Sequence, residues 1–231
     1  MINTDKKNIV KLISAYSTFD GGLYKRTATS NASFIMNMRA ENADYIELVA
    51  RTIECVTSVI VEDRPDYNTD GCSRFPQIRL YSRVHPQLSK IHSRVYIDKH
   101  KVIDPHMLKL MDAEMLAIIF MCDGGSRCYK ANRSVNFSSE ITLNTKGFSY
   151  GDNLILSKAI YEATGIRTTI NKQNQYRYLR VKSADHLLFV NTIMPYVTPS
   201  FRYKIERLAP SYWGDDIVWT PWEHGDIIGD I

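Results

Sequence analysis

The sequence predicts a mixed α/β (α+β) fold of two pseudo-twofold related halves, each running αββαββα, with antiparallel sheets covered by helices on one face. Three observations predict it. An apolar, helix-like stretch runs into an acid and two glycines twice, as AYSTFDGG ending at Asp20 and as AIIFMCDGG ending at Asp123. Beyond each copy, apolar residues recur at i, i+3, i+4 and i+7, as in Tyr45, Leu48, Val49 and Ile53 or in Leu154, Ile155, Ala159 and Ile160; this is the period of a helix with one buried face. Between these lie stretches of alternating apolar and polar residues, the pattern of strands buried on one side only.

In the first half an apolar helix reaches Asp20, Gly21 and Gly22 turn the chain, and strands are predicted over LYKRTATS and SFIMNMR. A helix over ENADYIELVARTIECV, strands over SVIVED and QIRLYSR, and a helix over HPQLSKIHSRVY complete it. The second half repeats the order: helix to Asp123, Gly124 and Gly125, strands SRCYKANR and SEITLNTK, helix SYGDNLILSKAIYEATG, strands RTTINKQ and YRYLRVK, helix ADHLLFVNTIMPYV. The repeat is weak in letters and clear in order. It divides the chain into a first half over 1–105, a second half over 106–205 and a tail over 206–231. Loop 64–76, RPDYNTDGCSRFP, is longer than its counterpart; Asp66, Asn68, Asp70 and Gly71 match the opening of an EF-hand loop, but Gln77 stands where that loop needs a bidentate Glu. Asp, Asn, Gly and Pro make it a turn-rich loop for local reasons.

A chain of 231 residues with 44% hydrophobic content has enough apolar surface for a core. Its longest apolar run, MLAIIFMC, is too short to span a bilayer, and MINTDKKNIV lacks the apolar segment of a signal peptide, so an intracellular protein is expected, in an organelle, a bacterium or a phage-infected cell. Cys55, Cys72, Cys122 and Cys128 show no CxxC spacing, which argues against disulfides and a zinc knuckle. The net charge of +4 is unevenly spread: from Glu206 onward six acids face one base, a net of about −5, leaving about +9 on residues 1–205. Basic residues in that body are interleaved with tyrosines, as on nucleic-acid-binding surfaces. The tail holds Trp213, Trp219 and Trp222 among its acids and is expected to pack back on the body.

An Asp-Gly pair closing one helix has an ordinary structural explanation, since it stops a helix. Two copies point further. Pseudo-symmetric apolar helices bury their faces against each other, so their carboxyl ends meet and two carboxylates repel unless a divalent cation lies beside them. Such a pair beneath a basic, tyrosine-lined sheet is the outline of a metal-dependent phosphodiesterase.

LISAYSTFDGG and MLAIIFMCDGG resemble the two motifs of LAGLIDADG homing endonucleases, in particular the single-chain, two-motif branch found in group I introns. The similarity runs from Leu12 to about Ile205. In the first copy Ser14, Tyr16, Ser17 and Thr18 replace the small and apolar residues of the family. The resemblance implies two saddle-shaped sheets along a DNA major groove, a monomeric enzyme cutting a long double-stranded target, and Mg²⁺ (or Mn²⁺) held by Asp20 and Asp123 with Gly21 and Gly124. Lys101 and Lys204, closing the two halves at equivalent points, are the basic residues expected to steady charge on the scissile phosphate, with Lys99 a competitor to Lys101. His100 and His106 lie near Lys101 but form no metal-ligand pattern.

Alternation supplies the expected DNA contacts. In the first half these are Lys25, Thr27, Arg79, Tyr81 and Arg83; in the second, Arg127, Lys130, Arg133, Thr142, Asn144, Lys146, Tyr178 and Arg180. Arginine suits guanine edges, asparagine suits adenine, and lysine suits phosphates. Two other readings stay open on the same scaffold: an RNA maturase acting on its group I intron, and a DNA-binding protein that does not cut.

Overall fold

The computed structural model describes residues 5–64, 75–130, 137–206 and 208. The first half opens with α1 (Lys6–Thr18), followed by β1 (Gly22–Lys25), β2 (Ala32–Arg39), α2 (Ala43–Glu54), β3 (Val59–Arg64), β4 (Gln77–Ser82) and α3 (Pro86–Val95). A short hairpin of β5 (Tyr96–Ile97) and β6 (His100–Lys101) and the one-turn α4 (Pro105–Leu108) lead to the second half. That half contains α5 (Ala113–Asp123), β7 (Gly124–Lys130), β8 (Phe137–Leu143), α6 (Tyr150–Thr164), β9 (Thr168–Gln173), β10 (Tyr176–Val181) and α7 (His186–Ile193), and α8 (Tyr203–Glu206) ends the described body. The sheets have matching orders, β1-β2-β4-β3 and β7-β8-β10-β9, and every pairing is antiparallel. The αββαββα repeat is therefore present twice.

Each sheet packs one face on helices. In β4 Ile78, Leu80 and Ser82 are buried while Gln77, Arg79 and Tyr81 face outward, as the alternation required. In β8 Ile141 and Leu143 are fully buried. Helix α5 is enclosed on every side, with Met115 to Met121 all buried, so it has no polar face. Helix α1 lies against it and is less apolar: Ser14, Ser17 and Thr18 are buried there. Thr18 satisfies its hydroxyl on the Ser14 carbonyl at 2.7 Å, which is how a helix accommodates a buried threonine.

Four expected elements differ. The strand over LYKRTATS ends at Lys25, because Thr27 and Ser30 tie the chain into a turn: Thr27 N donates to Ser30 Oγ at 3.0 Å and Ser30 N to Thr27 Oγ1 at 3.1 Å. The strand over SEITLNTK ends at Leu143, after which Asn144 N donates to the Asp123 carbonyl at 2.7 Å. In α6 the buried face is Asn153, Leu156, Ala159 and Ile160, while Leu154 and Ile155 are exposed; a polar residue, Asn153, fills the place assigned to an apolar one because it bonds Thr145 and the Ser149 carbonyl. Gly124 and Gly125 form no turn but begin β7 directly. The EF-hand-like positions 66–71, Cys72 and the tryptophans of the tail lie outside the described residues. Among the described residues no helix is long and apolar enough to cross a membrane.

A buried lysine joins the two halves. Lys11, 4% exposed in α1, contacts Asp112 at 2.6 Å and Glu114 at 3.3 Å at the start of α5. The 103-residue offset that relates Asp20 to Asp123 also separates Lys11 from Glu114, so equivalent positions carry opposite charges and attract where the helices meet. Reversing the buried partner sets a buried acid against two partly exposed ones: Lys11→Glu should destabilise the chain by about 2 kcal/mol in urea titrations. Adding Glu114→Lys should restore part of that loss, and failure of the second change to help would show that the pair does not couple the halves.

Candidate active site

Each acid stands at the end of its motif helix. Asp123 is the last residue of α5, and Asp20 lies two residues beyond α1, whose C-cap is Phe19. The glycine behind each acid is needed for space rather than for an unusual φ, since both backbones avoid the left-handed region. A Cβ on Gly21 would meet the Phe34 ring at 2.6 Å and the Tyr16 carbonyl at 2.8 Å; one on Gly124 would meet the Phe120 ring at 2.3 Å and its carbonyl at 2.4 Å. Without a side chain there, the strand leaves the helix at once and the carboxylate stays at the helix end.

Two lysines complete a pseudo-symmetric arrangement. Lys101 Nζ donates to the carbonyls of Phe19 at 2.7 Å and Gly21 at 2.6 Å. Lys204 Nζ donates to the Met121 carbonyl at 2.6 Å and the Phe120 carbonyl at 3.4 Å. Each ammonium thus caps the carboxyl end of its own half's motif helix, where the carbonyls and the helix dipole favour a cation. Lys101 is delivered by the β5–β6 hairpin, whose turn residues Asp98 and Lys99 have φ of 48° and 68°. Lys99 therefore occupies the exposed turn and Lys101 the site. Lys204 arrives on α8. Sequence order predicted both lysines but neither the hairpin nor α8.

The four groups share one electrostatic environment. Burial raises the Asp20 carboxyl above its ordinary range, and the Lys204 and Lys101 charges oppose that shift. Asp123 is pushed up to about 6, first by burial and then by the Asp20 charge, again against Lys101 and Lys204. Burial draws Lys101 down, opposed by both aspartates. The sequence did not single out Cys122, whose thiol lies between the halves, 3.1 Å from the Tyr45 hydroxyl. Burial and the Asp20 charge keep it protonated, with its pKa well above the ordinary value. A cysteine inside an apolar run carries no signal of such a position.

A hard divalent cation fits this donor set. The Asp20 charge acts on Asp123 from the opposite half, and that repulsion is what such an ion relieves. Among the described residues no group of three or more His, Cys, Asp or Glu side chains is placed to hold a metal ion; the protein offers a partial oxygen shell of the kind Mg²⁺ completes with water and phosphate. The Gly21 carbonyl accepts from Lys101, but a carbonyl oxygen carries a second lone pair, so Gly21 and Gly124 stay with Asp20 and Asp123 as the expected metal-binding residues.

The open sheet faces carry most of the expected contact residues. Arg79, Tyr81, Arg127, Thr142, Tyr178 and Arg180 lie on them by register. Arg79 Nε donates to Asn37 at 2.7 Å, and Lys146 stands 5.7 Å from the Tyr178 ring. Asn144 and Arg83 are exposed just past their strands. Lys25 is a correction: it shares the helix-side parity of buried Leu23, pairs with buried Ala32 and acts on His92 of α3, so Tyr24 takes the outward position. Thr27 lies in the turn after β1 rather than on a strand face. Lys130 is on β7, the side chain being beyond the description, and Arg133 lies outside the described residues. A depression of about 300 Å³ beside Asp20 includes Gly22, Tyr24 and Asn37. Another of about 430 Å³ in the second half includes Arg127, Glu140, Thr142 and Lys172.

The profile of the LAGLIDADG DNA endonuclease family matches residues 19–189. This chain belongs to that family. As a LAGLIDADG protein it is a DNA endonuclease, and the matched span takes in both motif acids. It is similar to the probable intron-encoded endonuclease 1 of Wickerhamomyces canadensis, 22% identical over 188 residues that cover 80% of this chain and 79% of that one. Its fold matches the homing endonuclease I-WcaI bound to its DNA recognition sequence, with a TM-score of 0.69, 19% identity and coverage of 87% and 86% of the two chains. Meganuclease I-SmaMI bound to uncleavable DNA matches with a TM-score of 0.52, 10% identity and coverage of 84% and 85%.

The raised Asp123 pKa has a stability consequence with a definite sign. Its value of about 6 in the folded state, against an ordinary 3.8, means that ionisation opposes folding. That cost is fully present above about pH 6, is mostly gone by pH 4, and vanishes at lower pH, where both folded and unfolded forms are protonated. Allowing for the group's partial exposure reduces a nominal ~3 kcal/mol to about 1 kcal/mol. Asp123→Asn should therefore stabilise the metal-free protein by about 1 kcal/mol at pH 8 and by nothing measurable at pH 4, read from urea titrations in chelator. An equal gain at both pH values would trace the effect to something other than this charge.

Proposed function

We propose that the chain is a site-specific, double-strand-cutting homing endonuclease that works as a monomer, with residues 1–105 and 106–205 as its two DNA-contacting halves and 206–231 as an acidic appendage. The observation carrying this reading is that each half delivers one carboxylate and one lysine to a common cluster. A single chain then holds a carboxylate for each strand of a duplex laid across the sheets. Asp20 and Asp123 would hold divalent ions, Mg²⁺ or Mn²⁺, because the Asp20 charge already raises the Asp123 pKa and a cation or a proton relieves that repulsion. When bound there, such ions supply activation of a water nucleophile and stabilisation of the leaving 3′ oxygen.

Lys101 and Lys204, fixed on helix carbonyls, favour the ionised carboxylates and place positive charge behind a phosphate held at the acids. The open faces supply the target contacts: Arg79, Tyr81, Arg127, Thr142, Tyr178 and Arg180 toward base edges, with Arg83, Asn144 and Lys146 at the strand ends. The halves carry different residues at equivalent places, so an asymmetric target is expected.

The test uses a target selected by the full chain from a randomised duplex library. Asp20→Asn and Asp123→Asn should each lower cleavage about a hundredfold or more while leaving affinity within a few-fold of wild type. Loss of binding with retained nicking would overturn the assignment. Affinity should also fall steeply as salt rises from 50 to 200 mM, by about a thousandfold if six phosphates are neutralised, as gel-shift or fluorescence titration would show; a flat response would remove the basic face from the account.

A further inference from the structure

We propose that Glu140 is a positioning residue for sequence reading, holding Arg127 and Arg180 side by side on the open face of the second sheet as a preset guanine-reading pair. This rests on the reading above that the open face meets DNA. A carboxylate on such a face should weaken binding to a polyanion, so its presence requires a reason. Glu140 is only 3% exposed. Both of its oxygens are engaged: Oε2 accepts from Arg127 Nε, and Oε1 lies 3.3 Å from Arg180 Nε in an ion pair. Arg127 stands directly across from Glu140 in the β7–β8 register, and Arg180 pairs with Thr142, one outward-facing position along β8.

The chain contains its own comparison. Register equates Arg127 with Tyr24, Glu140 with Ser33, Thr142 with Ile35 and Arg180 with Tyr81, since Tyr24 pairs with Ser33 and Tyr81 with Ile35. In the first half the two flanking positions are aromatic and the place between them is a serine. The acid occurs in the half where both flanking positions are arginine. A glutamate there neutralises the repulsion of two adjacent guanidiniums and removes rotamer freedom that binding would otherwise have to remove. Both arginines face Glu140 through Nε, and guanine O6 and N7 are read by the terminal fork of an arginine. The side chain of Arg127 is 71% exposed, so it extends from the buried carboxylate into the groove-facing layer. The half-site read by the second sheet should accordingly contain guanines at the base steps facing these two residues, and the half-site of the first sheet should not depend on them.

The experiment measures binding in chelator, without cleavage, of the full chain to a panel in which each base pair of the selected target is replaced in turn. Arg127→Ala and Arg180→Ala identify the positions each arginine reads. Glu140→Gln should reduce discrimination at those same positions about tenfold, while affinity for random-sequence DNA rises because a negative charge is gone; Glu140→Asp should recover part of the discrimination. Melting curves of each variant verify folding. A Glu140→Gln profile identical to wild type, or one altered only at a position neither arginine variant affects, overturns the positioning role, the second because Glu140 would then read a base itself. A wild-type chain that selects no sequence overturns the DNA reading along with it.

Discussion

The structure depends on holding together two helix ends that repel. Motif helices α1 and α5 both direct the negative end of their dipoles toward one point and each adds a carboxylate there. Left alone, that junction would open. Apolar burial along α5, the Lys11 contacts with Asp112 and Glu114 near its start, and two lysines bound to the terminal carbonyls keep it closed. Burial raises both carboxyl pKa values, and at Asp123 the Asp20 charge adds to the rise. Strain of this kind is usual where a site is kept ready for a ligand, and the ligand that relieves it is cationic.

The lysines show why the acids and bases belong to one device. A helix C-terminus accepts any cation, so an arginine or lysine there needs no functional reason. Here the same ammonium that satisfies the carbonyls also lowers the pKa of both aspartates, including the one from the opposite half. Capping and tuning are therefore inseparable. The route by which each lysine arrives differs, a strained two-residue hairpin turn in one half and a single helical turn in the other. Equivalent chemistry has been reached through unlike local backbone, which marks the charge as the constrained quantity.

Much of this was legible in the sequence because it is carried by local pattern. The order of elements, the two acids and the outward face of β4 follow from period and from Asp-Gly-Gly; the two lysines follow from what the family resemblance implies together with their equivalent places at the close of each half. Most of what escaped was set by contacts distant in sequence. Lys25 was assigned to the open face by its charge, although alternation from Leu23, two residues earlier, places it on the helix side. The buried face of α6 was misplaced because Asn153, a polar residue, is inside for the sake of hydrogen bonds to Thr145 and Ser149. The glycines were read as a turn, whereas their necessity arises from Phe34 and Phe120, whose rings occupy the space a side chain would need. Cys122 and Tyr45 meet only when the halves pack.

Pseudo-symmetry also explains where the halves are free to diverge. Near the dyad, equivalent positions must work together, so they are either the same, as with Asp20 and Asp123, or complementary, as with Lys11 and Glu114. Two copies of α1 brought together would set Lys11 against Lys11, and two copies of α5 would set Glu114 against Glu114; only unlike halves pair without that conflict. Away from the dyad the constraint lapses. On the open faces Tyr24, Ser33 and Tyr81 stand where Arg127, Glu140 and Arg180 stand in the other half. A linked pair of halves can therefore keep one symmetric reaction centre while each sheet evolves its own surface, and an identical-subunit dimer cannot, because any change on one sheet would appear on both. The complementary charges at the helix junction are what make that freedom stable, since they fix which half is paired with which.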